Sequence, residues 1–306
     1  MVPPEREDPM KNTSFAGLAV RTALFCLTLA GLCQGSQAQS EIRFRLVHDT
    51  VIVVSLMAND AGPFDFVLDT GTDSTIVDPS LARQLSLPAV DRIQMTTLAG
   101  SETLTRGSMR SLGAGPAHVE NLEVLVQDLA EMRAIDPRIQ GIVGQNFLSH
   151  FNYLLDYRKH SLRVELASEI RDAVEGAQVP VEIREDKMMV TSDADSQGHA
   201  KLRLLLDSGA NSVVLIQKAS RALHLPGQEN WMEVTSGGQA GMQVGRVRTL
   251  AVGAQQFHDL AVALPSAAPE DSERLEDGLL PTSLFRALYV NNRESFVVFN
   301  PRVKKN

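Results

Sequence analysis

Two similar, mostly β halves are what this chain of 306 residues predicts, and three observations predict them. First, a short phrase occurs twice: FVLDTGTDSTIVD over residues 66–78 and LLLDSGANSVVL over residues 204–215. In each, an apolar run ends in an aspartate, a hydroxyl residue and a glycine, and apolar residues resume soon afterwards. The two aspartates, Asp69 and Asp207, lie 138 positions apart. Second, other landmarks recur in step, as expected of an internal repeat. Leu87-Pro88 returns as Leu225-Pro226 and Gly107 as Gly245 at the same offset, and Gly141-Ile142-Val143-Gly144 returns as Gly278-Leu279-Leu280-Pro281, shifted by one. Third, strand-forming residues dominate both halves, and helical periodicity is scarce.

The elements follow in order. Residues 44–56 are rich in valine and isoleucine and form one strand region. The turn Ala58-Asn59-Asp60-Ala61-Gly62 comes next, and residues 64–68 are the second strand. Asp78-Pro79-Ser80 is a helix N-cap with proline at the first helical position, opening a helix to about Leu85. MTTLAGSETLTRG, residues 95–107, has strand formers around a small-residue tip at Leu98, Ala99, Gly100 and Ser101, a hairpin. Each Gly-apolar-apolar motif is followed by a short helical stretch and a β-branched, aromatic run. The stretch 167–180 carries mixed charge without strand periodicity and divides the chain into lobes at 41–170 and 171–306. The second half repeats the design with strands at 188–191 and 202–206 around a polar turn, and a helix at 217–223. A second hairpin, 234–247, has Gly237 and Gly238 at its tip. Residues 265–277, rich in proline and acid, are expected to form a surface loop.

Residues 1–38 have the layout of a secretory signal peptide, with Lys11 and Arg21 before an apolar run and Ser36-Gln37-Ala38 as a small-x-small cleavage signal. Met10 is an alternative start. The expectation is export to a periplasm or the extracellular space, with an uncleaved leader anchoring the chain in a membrane as the alternative. Both cysteines, Cys26 and Cys33, fall in this leader, so the exported chain has no thiol for a disulfide, a metal or nucleophilic catalysis. The net charge of −8 argues against nucleic-acid binding. Asp193-x-Asp195 lacks the glutamate that would complete an EF-hand loop. Metalloprotease, serine-hydrolase and phosphate-loop motifs do not occur.

Two aspartates, each closing an apolar run in its own half, suit chemistry that needs paired carboxylates. Close carboxylates cannot both ionise cheaply, so one shared proton is their natural state. The ionised member can take a proton from water while its protonated partner polarises a carbonyl. Gly71 and Gly209 permit close main-chain approach because no side chain intervenes. Thr72 can donate a hydroxyl hydrogen bond to Asp69, and Ala210 cannot do so for Asp207. A pair with one such donor is expected to ionise at higher pH than a pair with two. Pro281, standing where the first half has Gly144, removes an N–H.

Over about residues 43–301 the chain resembles the pepsin and retropepsin superfamily in its two-repeat form. The resemblance implies a bilobal acid-protease fold: two similar β-barrel lobes related by a pseudo-twofold axis, with a cleft between them and Asp69 and Asp207 facing each other on its floor. It implies that Thr70 and Ser208 hydrogen-bond across to the opposite lobe. The loops at Ile142, Val143 and Gly144 and at Leu279 and Leu280 would support the aspartates, and the glycine-tipped hairpins would be flaps. It also implies an aspartic endopeptidase acting on peptide or protein substrates, without metal or cofactor and active as a monomer. The alternatives are a non-catalytic peptide-binding protein on the same fold, or a narrow regulatory protease that cuts one partner.

Overall fold

A computed structural model describes residues 41–97, 100–165, 168–226, 228–235, 238–266 and 274–304; of 95–97, 100–101, 228–235 and 238–240 only the main chain is described. The expected signal peptide and both cysteines lie outside these residues, as do Leu98, Ala99 and Gly237.

Strands dominate, and they form the same closed ring twice. In the first lobe Val51–Ala58 pairs antiparallel with Ala61–Leu68, which runs parallel to Ile139–Val143. Thr75–Val77 joins Ile139–Val143 to Ala117–Val126. Gly100–Ala114 then pairs with Ala117–Val126 and returns to Val51–Ala58, closing the barrel. In the second lobe the ring runs through Lys187–Asp195, His199–Asp207, Gly278–Pro281, Val213–Leu215, Gln255–Pro265 and Gly238–Val252, and back to Lys187–Asp195. Every parallel or antiparallel sense is the same. A closed ring leaves no open edge among its six strands.

A third sheet joins the lobes. Its order is Glu41–Val47, Ser161–Glu165, Asn152–Asp156, Ala287–Asn291, Phe296–Phe299 and Gln178–Arg184, antiparallel throughout. The pseudo-twofold axis passes between the two central strands, where Leu154 pairs with Tyr289. Tyr153, Leu155, Leu288 and Val290 of these strands are buried with the apolar faces of both barrels, so one continuous core runs through both lobes.

Three sequence expectations need correction. The run 44–56 is two strands, because His48 and Asp49 take positive φ and turn the chain between Glu41–Val47 and Val51–Ala58. The stretch expected to divide the lobes is ordered over residues 168–180: a short helix, Glu169–Ala173, is followed by the start of Gln178–Arg184, an edge strand of the joining sheet. The acid-rich loop ends inside the protein, where Glu276 and Asp277 are buried. Lys187 and Arg274 pair with Glu276, and Arg203 and Lys218 with Asp277, which makes burial of two adjacent carboxylates tolerable. The helix opened by Asp78 forms as expected, Pro79–Gln84, with the Asp78 carboxylate accepting from the Ser80 N–H at 2.9 Å.

Candidate active site

Each aspartate ends a buried strand. Ala61–Leu68 delivers Asp69, whose N–H donates to the Val143 carbonyl at 3.0 Å. His199–Asp207 delivers Asp207 opposite Pro281. Ile142 and Val143 lie against Val67 and Leu68, and Leu279 and Leu280 against Leu205 and Leu206, so both Gly-motif strands brace the segments that carry the carboxylates.

The two loops are locked to each other by four hydrogen bonds. The Thr70 hydroxyl donates to the Leu206 carbonyl at 2.8 Å and accepts from the Ser208 N–H at 3.0 Å. The Ser208 hydroxyl donates to the Leu68 carbonyl at 2.7 Å and accepts from the Thr70 N–H at 2.9 Å. Both side chains are buried and each uses donor and acceptor capacity, so the lattice leaves no polar atom unpaired. The glycines are reciprocal as well. A Cβ on Gly71 would lie 2.6 and 2.7 Å from the Asp207 carboxylate oxygens, and one on Gly209 would lie 2.9 Å from the Asp69 carboxyl carbon. Each glycine therefore makes room for the other lobe's aspartate.

The carboxylates sit unequally. Asp207 is buried, whereas Asp69 is partly open to solvent. Gly71 N–H donates to Asp69 Oδ1 at 2.8 Å; Gly209 and Ala210 N–H donate to Asp207 Oδ1 at 2.7 and 2.9 Å. Burial raises the Asp69 pKa above the ordinary carboxylate value, against the lowering effect of the Gly71 amide and of a side-chain hydrogen bond with Asp207. Burial raises Asp207 much further, and the charge of Asp69 adds to the rise. Both carboxyls are thus pushed toward the protonated form, Asp207 the more strongly, as expected of two close carboxyls. An ionised and a protonated carboxyl side by side can activate a water and polarise a carbonyl at once.

Thr72 is where the geometry corrects the sequence. Its hydroxyl is buried and has no hydrogen-bond partner among the described residues, so it does not donate to Asp69. The Thr72 methyl points at the loop instead, 2.8 Å from where a Cβ on Gly144 would be. Only the Thr72 main-chain N–H acts on the carboxylate. Among the described residues neither aspartate has a side-chain hydroxyl donor.

The two expected flaps form hairpins in their main chain. Thr97 pairs with Gly100 and Thr96 with Ser101, and Thr235 pairs with Gly238. Their tips at Leu98 and Ala99 and at Gly237 lie outside the described residues. No cluster of metal-ligating side chains occurs among the described residues.

Several supporting residues carried no sequence prediction. Gln145 Nε2 donates to the Thr70 carbonyl at 3.0 Å, and Asn146 Oδ1 accepts from the Thr75 N–H and hydroxyl at 2.9 and 2.7 Å. Both residues directly follow the first Gly-apolar-apolar motif, which was the available signal. Tyr157, bonded to Thr282 from the other lobe at 2.6 Å, had none.

A model of the family described as Aspartyl protease matches the chain twice, over residues 54–147 and 192–284. The first match contains Asp69 and Gly144, and the second contains Asp207 and Pro281; the paired strands of the joining sheet fall outside both. Among solved structures the chain is similar to a retropepsin-like aspartic protease from Rickettsia conorii, at 18% identity over 40% of this chain and 89% of that one, with a TM-score of 0.31. No curated protein matches the chain. The two matched stretches take in more than half of the 306 residues, each covering most of one barrel and its aspartate loop, and the chain belongs to the aspartyl protease family.

Proposed function

We propose that this protein is an aspartic endopeptidase that hydrolyses peptide bonds with a water activated between Asp69 and Asp207. Asp69 takes a proton from the water, and the proton on Asp207 polarises the scissile carbonyl. The observation that carries this reading is the reciprocal packing of the two loops, in which each lobe's glycine clears space for the other lobe's carboxylate. A pair of turns with no joint task has no use for that arrangement. Both halves of the lattice and all six strands of the joining sheet come from one chain, which supports activity as a monomer. Export by the leader at 1–38, to a periplasm or the extracellular space, belongs to the same proposal and rests on sequence layout alone. Extended peptide segments are the substrates, without metal or cofactor.

The test is incubation of the chain from residue 39 onward with a mixed peptide library from acidic to neutral pH, with cleavage sites read by mass spectrometry. Internal cleavage that disappears in Asp69→Asn and in Asp207→Asn, both folded, is the expected result. Cleavage that survives either substitution contradicts the assignment of the pair.

A further inference from the structure

The loops beneath the two aspartates are held in different ways. In the first lobe the loop from Gly144 to Leu148 is fastened to its own aspartate segment. Gln145 and Asn146 N–H donate to the carbonyls of Thr72 and Asp73, each at 2.9 Å, and the Gln145 and Asn146 side chains reach Thr70 and Thr75. In the second lobe Pro281 has no N–H to give, and none of these bonds recurs between residues 281–284 and 207–212 among the described residues beyond the pairing of Asp207 with Pro281. Thr282, buried at the position of Gln145, turns its hydroxyl to the Tyr157 hydroxyl at 2.6 Å.

Tyr157 lies 125 residues upstream, just past the central strand Asn152–Asp156. It is fixed by its own N–H, which donates to the Arg286 carbonyl at 3.0 Å, and by edge-on packing of its ring on Phe44. Thr282 lines a small cavity of about 10 Å³ together with Thr70, Leu206 and Tyr153, which puts it directly behind the interlobe lattice. The pseudo-twofold counterpart of Tyr157 is Asn292, whose amide donates to the Leu148 and Phe151 carbonyls of the first lobe at 3.2 and 2.5 Å. That loop already has its local ties, so Asn292 is a redundant strut. Tyr157 is not.

We propose that Tyr157 is the positioning residue for Asp207: from across the lobe boundary its hydroxyl holds Thr282, and through it the Pro281 loop on which Asp207 rests. This inference rests on the reading of Asp69 and Asp207 as the working pair. Ionised Asp207 also adds to the rise of the Tyr157 phenol above its usual value, behind the main effect of burial, so the two groups lie within electrostatic reach. Slackening the loop weakens the hold of Gly209 and Ala210 N–H on Asp207 Oδ1. Those donors favour the ionised form, so their loss makes Asp207 more proton-retentive.

The experiment compares Tyr157→Phe, Thr282→Val, Thr282→Ser and Asn292→Ala with the wild type in kcat, KM and pH profile. Tyr157→Phe and Thr282→Val should each lower kcat about fivefold to tenfold with KM nearly unchanged, the loss expected of one hydrogen bond felt in the transition state. The alkaline limb of the profile should move to higher pH, Thr282→Ser should restore both, and Asn292→Ala should leave the limb in place. A folded Tyr157→Phe with wild-type kcat and an unmoved limb overturns the proposal, as does a shift equally large in Asn292→Ala. If the wild type cleaves nothing, the enzyme reading fails by itself. Carbon-13 titration of the aspartate carboxyls then still reads the strut: an Asp207 titration raised by Tyr157→Phe supports it, and an unchanged one refutes it.

Discussion

The two lobes share a ring of strands but differ at three positions that face one another, and the differences explain each other. The first lobe has Thr72, Thr75 and Gly144; the second has Ala210, Val213 and Pro281. Gly144 N–H points at the Thr75 hydroxyl, at 3.4 Å. Proline at 281 removes that donor and valine at 213 removes that acceptor, so nothing is left buried and unpaired, the cheaper way to lose a hydrogen bond. The Thr72 methyl occupies space that exists only because Gly144 has no side chain. Where the loop carries a proline ring, the facing residue shrinks to alanine. Ala210 and Pro281, which look like two separate defects in the second repeat, are one exchange of packing.

The strongest feature the two lobes share is the reciprocal pair of glycines. Gly71→Ala and Gly209→Ala each put a methyl against the opposite carboxylate, so each should cost about a hundredfold or more in kcat/KM. Gly71→Ala should be the worse, its clearance from Asp207 being the smaller. Equal activity of Gly71→Ala and wild type would mean that the loops do not meet as described.

The exchange itself predicts a conditional effect. Ala210→Thr should lower stability by about 1–3 kcal/mol, as overpacking does, and the loss should shrink when Pro281→Gly is added. From sequence alone this substitution would be expected to install a donor and move the acid limb of activity downward. With the Thr72 hydroxyl unpaired in the matching place, no such shift is expected. Equal destabilisation in both backgrounds, measured by denaturant unfolding, would separate the two positions. A smaller effect belongs to Thr75→Val, which makes the first lobe resemble the second while leaving the Gly144 N–H and Asn146 Oδ1 short of a partner. It should cost about 1–2 kcal/mol, and Val213→Thr, with no donor at Pro281, should gain nothing.

Much of the site was legible in the chain because it is written twice. The Asp-hydroxyl-Gly triplets, the Gly motifs and the hairpins recur in the same order, and repetition marks them even where each alone would pass for a turn. What appears once was not legible. Tyr157 and Asn292 occupy matching places with unlike chemistry, so no repeat pattern picks out the contact with Thr282. The orientation of Thr72 depends on space left by Gly144, 72 residues away. His48 and Asp49 turn the chain without glycine or proline. Glu276 and Asp277 look like solvent-facing acid until Lys187, Arg203 and Lys218, distant in sequence, are found around them with the neighbouring Arg274.

If Asp69 and Asp207 share one proton in a floor built jointly by both lobes, the stability of the fold depends on pH in a way that Asp207 sets. A carboxyl whose folded pKa is raised costs nothing below its unfolded value near pH 4, because both states are then protonated. As pH rises through the window between the unfolded and folded values, the unfolded chain releases the proton first and the folded protein loses stability, by about 1.4 kcal/mol per pH unit for one group. Asp207→Asn cannot ionise. Unfolding free energies of wild type and Asp207→Asn, measured from pH 3 to 8, should therefore change in step below about pH 4 and diverge above it, the variant gaining on the wild type as pH rises. Curves that stay parallel across the range would mean that Asp207 ionises as an ordinary carboxylate and that no proton is shared.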